Sequence, residues 1–308
     1  MTTLADLRLD IRHTLLTTPP ALDHVLPGLL AGTLGVLVAP GGAGKTMLLT
    51  QIGCAIASGQ PILGGALNGS KSSPARVVLF LAEETAVIMH HRLHGAAQQL
   101  QEDMACRSRE CRQALLEGLS SQMNIYPLGG HGSLANFAGG SKEYRALLEL
   151  CIGARLVIVD PLRRFHEGDE NDSAAMTAIV TTFQRFAHES GAAVLIAHHA
   201  NRVSMTSGGG EQAYASRGST ALTDGVRWQA NLSPVSGPLA SERGIDKSEL
   251  RQFVRLDLPK SNYVRSLDTI VLRKDPQSGA MALWLPEALS KRTPATRTKR
   301  AGTPGEKR

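Results

Sequence analysis

The sequence predicts an α/β domain with a mostly parallel sheet flanked by helices. Four short runs are apolar at nearly every position, as expected for strands that helices cover on both faces. Helical patterns separate these runs, and this alternation is typical of a doubly wound sheet. The last third of the chain lacks comparable helices, so its short strand-like runs predict an antiparallel C-terminal extension of the same sheet.

The predicted elements follow one another in a simple order. The strands of the parallel part are Leu34–Ala39, Val77–Ala82, Leu156–Asp160 and Val194–His198. The helical patterns are Lys45–Ser58, Thr85–Leu100, Arg109–Leu119, Lys142–Cys151 and Ser173–Ser190. The strands of the extension are Val226–Leu232, Gln252–Leu258, Thr269–Leu272 and Met281–Leu285. The stretches Gly129–Ser141 and Val203–Arg217 are loop-like, and the second is long enough that a compact domain should have a use for it.

The charge of the chain is concentrated at its C-terminal end. The 308 residues have a formal net charge of +6, yet residues 290–308 hold seven basic residues and one acidic residue. The rest of the chain is therefore neutral. Because residues 290–308 contain no apolar side chain larger than alanine, we expect a disordered basic tail that serves as an accessory arm for DNA or partner proteins. We expect residues 1–19 to form an N-terminal arm and residues 20–289 to form the folded domain.

The composition also limits the compartment. No apolar run is long enough to cross a membrane, and the first ten residues lack the pattern of a signal sequence. The cysteines, which form neither a zinc spacing nor a disulfide framework, are Cys54, Cys106, Cys111 and Cys151. We therefore expect a cytoplasmic protein with reduced cysteines and no membrane partner.

Residues 39–46, Ala-Pro-Gly-Gly-Ala-Gly-Lys-Thr, predict a phosphate-binding loop. They lie between a strand and a helix, so backbone N–H groups and the helix N-terminus would face a phosphate. Lys45 can reach the β and γ oxygens of a nucleoside triphosphate, and the Thr46 hydroxyl suits Mg²⁺. Ala39 stands where the usual pattern begins with glycine, and a plain glycine-rich turn is the alternative. The predicted nucleotide-binding residues of this segment are Pro40, Gly41, Gly42, Ala43, Gly44, Lys45, Thr46 and Met47.

Carboxylates follow two of the predicted strands, where ligands of parallel sheets bind. Asp160 ends an apolar strand, and beside a phosphate loop it is the expected partner of Mg²⁺, although buried strands also end in capping Asp residues. Glu83 and Glu84 follow Val77–Ala82, where a carboxylate can orient and deprotonate a water molecule. The alternative is an acidic first turn of the next helix, and it weighs more for Glu84 than for Glu83.

Histidines supply two further candidates. His198 and His199 end a strand at the same edge, where a pair of imidazoles can donate a hydrogen bond to a γ-phosphate or to a water molecule. His90 and His94 lie one helical turn apart, but no third ligand follows them, so zinc is not expected. Arg92 is the more useful residue of that group, because it lies on a helix that begins beside Glu83.

Several segments occur in the same order in plasmid RepA-type replicative helicases, and the chain resembles that family from about Pro20 through Asn262. The segments are residues 39–46, Glu83-Glu84, His90–His94, residues 160–166 (Asp-Pro-Leu-Arg-Arg-Phe-His), His198-His199-Ala200 and Ala215–Ser219. The resemblance implies ring-shaped hexamers with a RecA-like P-loop NTPase core that use ATP and Mg²⁺.

The resemblance also implies roles for particular residues. Lys45 and Thr46 bind nucleotide and metal, Glu83 is the catalytic base, and Asp160 coordinates the metal environment. His199 senses the γ-phosphate with His198 beside it, and relatives often carry Asp where Glu84 stands. The trans arginine of the neighbouring subunit matches Arg227 best and Arg217 second, and the alternative for both is a surface arginine or a phosphate contact. Lys260 falls in a matching segment and would face the nucleotide of the neighbour.

The function expected from this resemblance is an ATP-dependent, ring-forming DNA helicase of plasmid replication. Single-stranded DNA would pass through the central channel and meet Arg202, Tyr214 and Arg217 of the glycine-rich loop, unless that segment is a plain surface loop. An origin-binding initiator and a primase are the expected protein partners. Two alternatives stay open: a RecA-like, DNA-stimulated ATPase of recombination or repair that does not unwind DNA, and a non-enzymatic replication regulator that binds DNA.

Overall fold

The computed structural model describes residues 5–68, 72–131, 137, 140–199, 221–264 and 267–286. The loop Val203–Arg217 and the tail at residues 290–308 lie outside the described residues, as does much of the stretch Gly129–Ser141. The expectations for Arg202, Tyr214 and Arg217, and for the tail, therefore remain predictions.

The described residues contain a nine-stranded sheet and a separate two-stranded hairpin. The strands are β1 (His24–Leu26), β2 (Leu29–Leu30), β3 (Leu34–Ala39), β4 (Val77–Leu81), β5 (Met123–Pro127), β6 (Leu156–Asp160), β7 (Ala193–His199), β8 (Trp228–Pro234), β9 (Phe253–Ser261), β10 (Ile270–Lys274) and β11 (Met281–Leu283). The helices are α1 (Ile11–Leu16), α2 (Lys45–Ser58), α3 (Ala86–Asp103), α4 (Arg109–Gln122), α5 (Lys142–Cys151), α6 (Ser173–Ser190), α7 (Ala221–Gly225) and α8 (Gly237–Glu242).

The large sheet has the order β11-β10-β9-β8-β3-β7-β6-β4-β5, and β1 pairs with β2 in the small hairpin. The pairs β3–β7, β3–β8, β4–β5, β4–β6 and β6–β7 are parallel. The pairs β8–β9, β9–β10 and β10–β11 are antiparallel. The predicted fold class, a mostly parallel sheet flanked by helices with an antiparallel extension, is confirmed. The carboxyl ends of β3, β4, β6 and β7 meet at one edge, because the strands between them run in the same direction.

Two details of the sheet differ from the prediction. The prediction omitted β5 because its half-buried sequence, Met-Asn-Ile-Tyr-Pro, is not a continuous apolar run. Half-burial is natural for a strand that ends the sheet beside β4 alone. The prediction also placed the whole extension in antiparallel order, but β8 pairs parallel with β3, and the direction reverses only at β9.

Each face of the sheet packs against its own helices. Helices α2, α3 and α4 cover one face, and their apolar side chains form what we call the α2-side core with residues such as Ala39 and Ile158. Helices α5 and α6 cover the other face and form the α6-side core with residues such as Val38 and Val159. Successive strand residues alternate between the two cores, so the face that any strand residue occupies follows from its position. Helix α2 is buried on almost all sides, which agrees with its nearly continuous apolar sequence.

The cysteines depart from the expectation in one respect. Cys106 and Cys111 form a disulfide across the turn between α3 and α4, so the expectation that all four cysteines are unpaired is wrong. The turn brings the two Cα atoms to 5.7 Å, a separation that a disulfide can bridge. Cys54 and Cys151 are free and buried, and burial raises the pKa of each thiol to about 12. Within the described residues, the helices are too short or too polar to span a membrane.

Candidate functional site

The loop between β3 and α2 is shaped by two glycines with positive φ. Gly42 has a φ of +79° and Gly44 has a φ of +99°, a region that other residues rarely adopt. A side chain at Gly44 would also collide with Met281 of β11. Helix α2 starts at the next residue, Lys45, so the N–H groups of its first turn point out of the sheet edge, where an anion can accept them.

Asp160 joins the loop to the central strands. The Thr46 hydroxyl donates a 2.6 Å hydrogen bond to Asp160 Oδ2, and Lys45 Nζ lies 3.4 Å from Asp160 Oδ1. The side chains of Lys45 and Asp160 are only 9% and 5% exposed, so each charge depends on the other for compensation. Asp160 reaches α2 because it is the last residue of β6 and continues the face of Ile158, which belongs to the α2-side core. The structure thus brings three predicted residues into direct contact.

Two of these residues, Thr46 and Asp160, supply oxygen atoms that suit Mg²⁺. This ion prefers oxygen ligands and keeps several water molecules, so a threonine hydroxyl and one nearby carboxylate are sufficient protein partners beside a nucleotide phosphate. The oxygens of Thr46 and Asp160 meet this requirement, because they lie 2.6 Å apart.

The two glutamates after β4 are held by different arginines. Glu84 is the more buried, 14% exposed, and accepts a 2.7 Å hydrogen bond from Arg92 of α3. Glu83 is 48% exposed and lies 3.3 Å from Nε of Arg164, which belongs to the short 3-10 helix Leu162–Phe165 after β6. The tighter, more buried pair anchors α3 to the end of β4, whereas Glu83 remains accessible at the sheet edge. This difference favours Glu83 over Glu84 as a group that contacts water.

A cavity of about 650 Å³ lies between α3 and the turn joining β10 and β11. Its lining includes His91, Arg92, Gln277 and Ser278. A separate cavity of about 330 Å³ lies at the phosphate loop and is lined by residues 40–43 of the loop, Phe253, Val254 and Lys274. Among the residues that the structure describes, no three His, Cys, Asp or Glu side chains form a metal-binding group, so His90 and His94 have no third ligand there.

The two histidines at the end of β7 face opposite sides of the sheet. His199 is paired in register with Ala39 and shares the α2 side with the phosphate loop. His198 is paired with Val38, so it points to the α6 side and away from Lys45. The structure therefore brings His199 to the loop and does not bring His198 there.

His198 belongs to a buried group that the sequence pattern does not reveal. Its Nδ1 atom lies 4.0 Å from Oε1 of Glu170, and Nε2 of His166 lies 3.7 Å from the same oxygen. The pKa of the Glu170 carboxyl is lowered, mainly because it is hydrogen-bonded to His166. Burial alone would raise this pKa, but the nearby charges of His198 and Arg163 also lower it. Glu170 lies in the segment between β6 and α6, where no periodic pattern distinguishes it from other acidic loop residues.

Arg227 and Lys260 lie at the opposite edge of the sheet from the loop of their own chain. Arg227 is exposed and directly precedes β8, whose first residue, Trp228, pairs with Gly35 near the start of β3. The phosphate loop follows the other end of β3, about 20 Å away at the usual rise of a strand. Lys260 Nζ donates to the carbonyl oxygens of Thr223 (2.7 Å) and Asp224 at the end of α7. Neither side chain joins Lys45 within one chain.

A family model described as an AAA domain matches residues 3–205. Among solved structures, the ATPase domain of G40P aligns with a TM-score of 0.52 and 15% identity, covering 81% of this chain and 84% of that one. A DnaB-like replicative helicase, solved with its interactions with primase, gives a TM-score of 0.51 and 14% identity over 82% of this chain and 57% of that one. The flagellar accessory protein FlaH from Methanocaldococcus jannaschii gives 0.50 and 12%, covering 84% and 91%. At these identities the likeness concerns the fold.

The chain has the fold of RecA-like P-loop NTPases, with Lys45, Thr46 and Asp160 in contact at its phosphate loop. Because the AAA-domain model matches more than half of the sequence, the chain belongs to the AAA_25 family.

The shape of the loop makes a prediction about its glycines. Gly44→Ala should lower the free energy of unfolding by about 1–3 kcal/mol, because alanine is strained at positive φ and its Cβ would displace Met281. Gly41→Ala is the matched control, since its φ is not in the left-handed region and a Cβ there meets no atom within 4 Å. Urea denaturation of both variants without nucleotide measures the difference. Equal stability of the two variants would contradict the described loop conformation.

Proposed function

We propose that this protein hydrolyses ATP with Mg²⁺ and uses the energy as a ring-forming DNA helicase of plasmid replication. The observation that carries the ATPase proposal is the contact of one buried carboxylate, Asp160, with both Lys45 and Thr46 at the end of a glycine-rich loop. The phosphates of ATP can replace Asp160 as the partner of Lys45, because a triphosphate offers stronger anionic partners than one carboxylate does.

In the proposed reaction, the loop N–H groups and Lys45 bind the β- and γ-phosphates. Thr46 and Asp160 would hold Mg²⁺, which neutralises phosphate charge when bound. Glu83 orients a water molecule and accepts its proton as the water oxygen bonds to the γ-phosphorus. The bond from the γ-phosphorus to the β–γ bridging oxygen breaks, which yields ADP and phosphate. His199, on the loop side of β7, donates a hydrogen bond to the γ-phosphate.

The cavity at the phosphate loop provides space for the rest of the nucleotide. It has a volume of about 330 Å³ and is lined by residues 40–43 together with Arg251, Phe253 and Lys274. The ribose and base are proposed to lie there, because the loop that would bind the phosphates forms one of its walls, and Arg92 remains paired with Glu84.

The position of Arg227 supports hydrolysis between subunits. Phosphoryl transfer is accelerated about 10³–10⁵-fold by an arginine that neutralises charge on the transferred group. Arg227 is exposed but lies at the far edge of its own sheet, so it can serve only the nucleotide of a neighbouring copy. Arg217 is the second candidate and lies outside the described residues. Lys260 would approach the same nucleotide, and the arrangement requires a homo-oligomer, which we take to be a hexamer.

Two observations support the further proposal that this ATPase is a helicase. The sequence resembles plasmid RepA-type helicases, and the fold is shared with the ATPase domain of G40P and with a DnaB-like replicative helicase. Single-stranded DNA is the proposed polymer substrate. The proposed protein partners are an origin-binding initiator and a primase, and the proposed compartment is the cytoplasm. The proposed domain limits are residues 20–289, with an N-terminal arm before them and a basic tail after them.

Replacement of Lys45 tests the proposed activity. Lys45→Ala should reduce ATP turnover by at least about a hundredfold, because it removes the cation that binds the phosphates. It should also abolish ATP-dependent unwinding of a forked DNA duplex. Lys142→Ala, which removes an exposed lysine at the start of α5 on the opposite face of the sheet, is the control and should retain both activities. Wild-type turnover in Lys45→Ala would refute the proposed site. Turnover without unwinding by the unmodified protein would identify a DNA-stimulated ATPase instead, and no turnover at all would identify a DNA-binding regulator.

A mixing experiment tests the trans arginine. Arg227→Ala alone should lose about a thousandfold in turnover and still bind ATP, because its own loop is intact. When it is mixed with Lys45→Ala, some boundaries combine an intact loop from one variant with an intact arginine from the other. Turnover of the mixture should therefore exceed that of either pure variant. Arg109→Ala, which changes an exposed arginine of α4, should behave as the unmodified protein. No gain at any mixing ratio would exclude Arg227 as the trans residue.

A further inference from the structure

Lys274 is the last residue of β10 and lies beside the phosphate loop. Its Cδ atom is 3.8 Å from the position that a Cβ atom would occupy at Gly44. Leu272, two residues earlier in β10, belongs to the α2-side core, so strand alternation puts Lys274 on the same face. Because β10 runs in the same direction as β3, both strands end at one edge of the sheet. Lys274 therefore reaches the loop from the antiparallel extension.

The ammonium group of Lys274 makes no hydrogen bond or ion pair with any residue that the structure describes. Its neighbour Arg273, on the opposite face of β10, lies 3.0 Å from Glu249 and donates to Gln252. Lys274 is half-buried, and this burial lowers its pKa below that of an ordinary lysine. A partly desolvated cation costs free energy unless a ligand supplies the opposite charge.

The 330 Å³ cavity at the phosphate loop has a cationic wall. Lys274 and Arg251 both line the cavity beside residues 40–43, and no acidic side chain of the described residues is part of its lining. Phe253 adds an apolar surface to the same cavity. The ligand that suits these groups therefore combines an anionic part with a planar or apolar part, as a nucleotide does.

We propose that Lys274 binds the α-phosphate of the nucleotide held by its own subunit. This inference rests on the proposed function, in which the loop and Lys45 bind the β- and γ-phosphates and the nucleoside occupies the 330 Å³ cavity. The α-phosphate joins these two parts of the nucleotide. Lys274 lies at the corresponding junction, because it is close to Gly44 of the loop and also lines the cavity. Its ammonium group donates a hydrogen bond to an α-phosphate oxygen and neutralises part of its charge.

A contact with the α-phosphate differs in its effect from a contact with the transferred group. The α-phosphate is present in both ATP and ADP, and it does not change when the bond to the γ-phosphorus breaks. Lys274 therefore contributes equally to the binding of substrate and transition state, so it lowers KM and leaves kcat unchanged. Because Lys274 acts within one chain, its effect on binding requires no neighbouring copy, in contrast to that of Arg227.

Removal of the charge tests this contact. Lys274→Met should raise the Kd of MgADP and of a non-hydrolysable MgATP analogue about tenfold each, because one charge-assisted hydrogen bond is lost. KM for ATP should rise by a similar factor at unchanged kcat. Lys274→Arg should lose less affinity, since it keeps the charge. Lys142→Met is the matched control, because Lys142 is exposed on α5, across the sheet from the loop. Isothermal titration calorimetry of the full-length protein measures Kd, and steady-state turnover measures KM and kcat.

Thermal unfolding distinguishes a ligand contact from a structural role. Without nucleotide, Lys274→Met should have a Tm equal to or above that of the unmodified protein, because it removes an uncompensated, half-buried charge. The increase in Tm on addition of MgADP should be smaller in the variant, since the bound state is stabilised less. A lysine that only supported the fold would give the opposite pattern, a lower Tm without nucleotide and an unchanged Kd, and that result would overturn the proposal.

Three other outcomes would also contradict the α-phosphate contact. Loss of affinity for the ATP analogue alone, with a lower kcat, would place Lys274 at the γ-phosphate. A loss that differs between MgADP and MgGDP would place it at the base. Unchanged binding in Lys274→Met, with binding lost in Lys45→Ala, would overturn the role of Lys274 and leave the proposed ATPase site intact. An unmodified protein that binds neither nucleotide would overturn both.

Discussion

The site depends on the carboxylate of Asp160. This side chain is held at the sheet edge by β6, and from there it accepts the Thr46 hydroxyl at 2.6 Å and lies 3.4 Å from Lys45. Removal of any one of the three would leave a buried polar or charged group uncompensated, which is costly in a low-dielectric interior. The same interaction aligns the first turn of α2 with the end of β6. It therefore fixes the anion-binding loop relative to Glu83 and His199, which end neighbouring strands.

Strand direction then determines what one chain can and cannot supply. The parallel strands bring the loop, the oxygens of Thr46 and Asp160, Glu83 and His199 to one edge. Because β8 is also parallel to β3, the residue that precedes it, Arg227, lies at the opposite edge. A single copy can bind ATP in the proposed way, but its own Arg227 lies too far from the bound phosphates to contact them. The arginine must therefore come from a neighbouring copy.

The sequence predicts the elements that are governed by local rules and misses those governed by packing. Continuous apolar runs and the glycine–lysine–threonine motif locate β3, α2 and the contact partner Asp160. Strand alternation alone puts His198 and His199 on opposite faces of β7, but which of them shares a face with the phosphate loop depends on the register of β7 against β3, which the sequence does not show. Glu170 and the Cys106–Cys111 bridge depend on which segments a loop and a turn bring together, and neither carries a periodic signal. The parallel pairing of β8 likewise follows from long-range contacts with β3.

The central claim is that each ATP lies between the loop of one copy and the arginine of the next. A cryo-electron microscopy structure of the full-length protein with Mg²⁺ and a non-hydrolysable ATP analogue tests it most directly. The account expects a closed ring in which the phosphates contact Lys45 of one copy and Arg227 of its neighbour. Analogue bound to Lys45 in separate monomers, or a ring whose boundaries place Arg227 away from every phosphate, would contradict it.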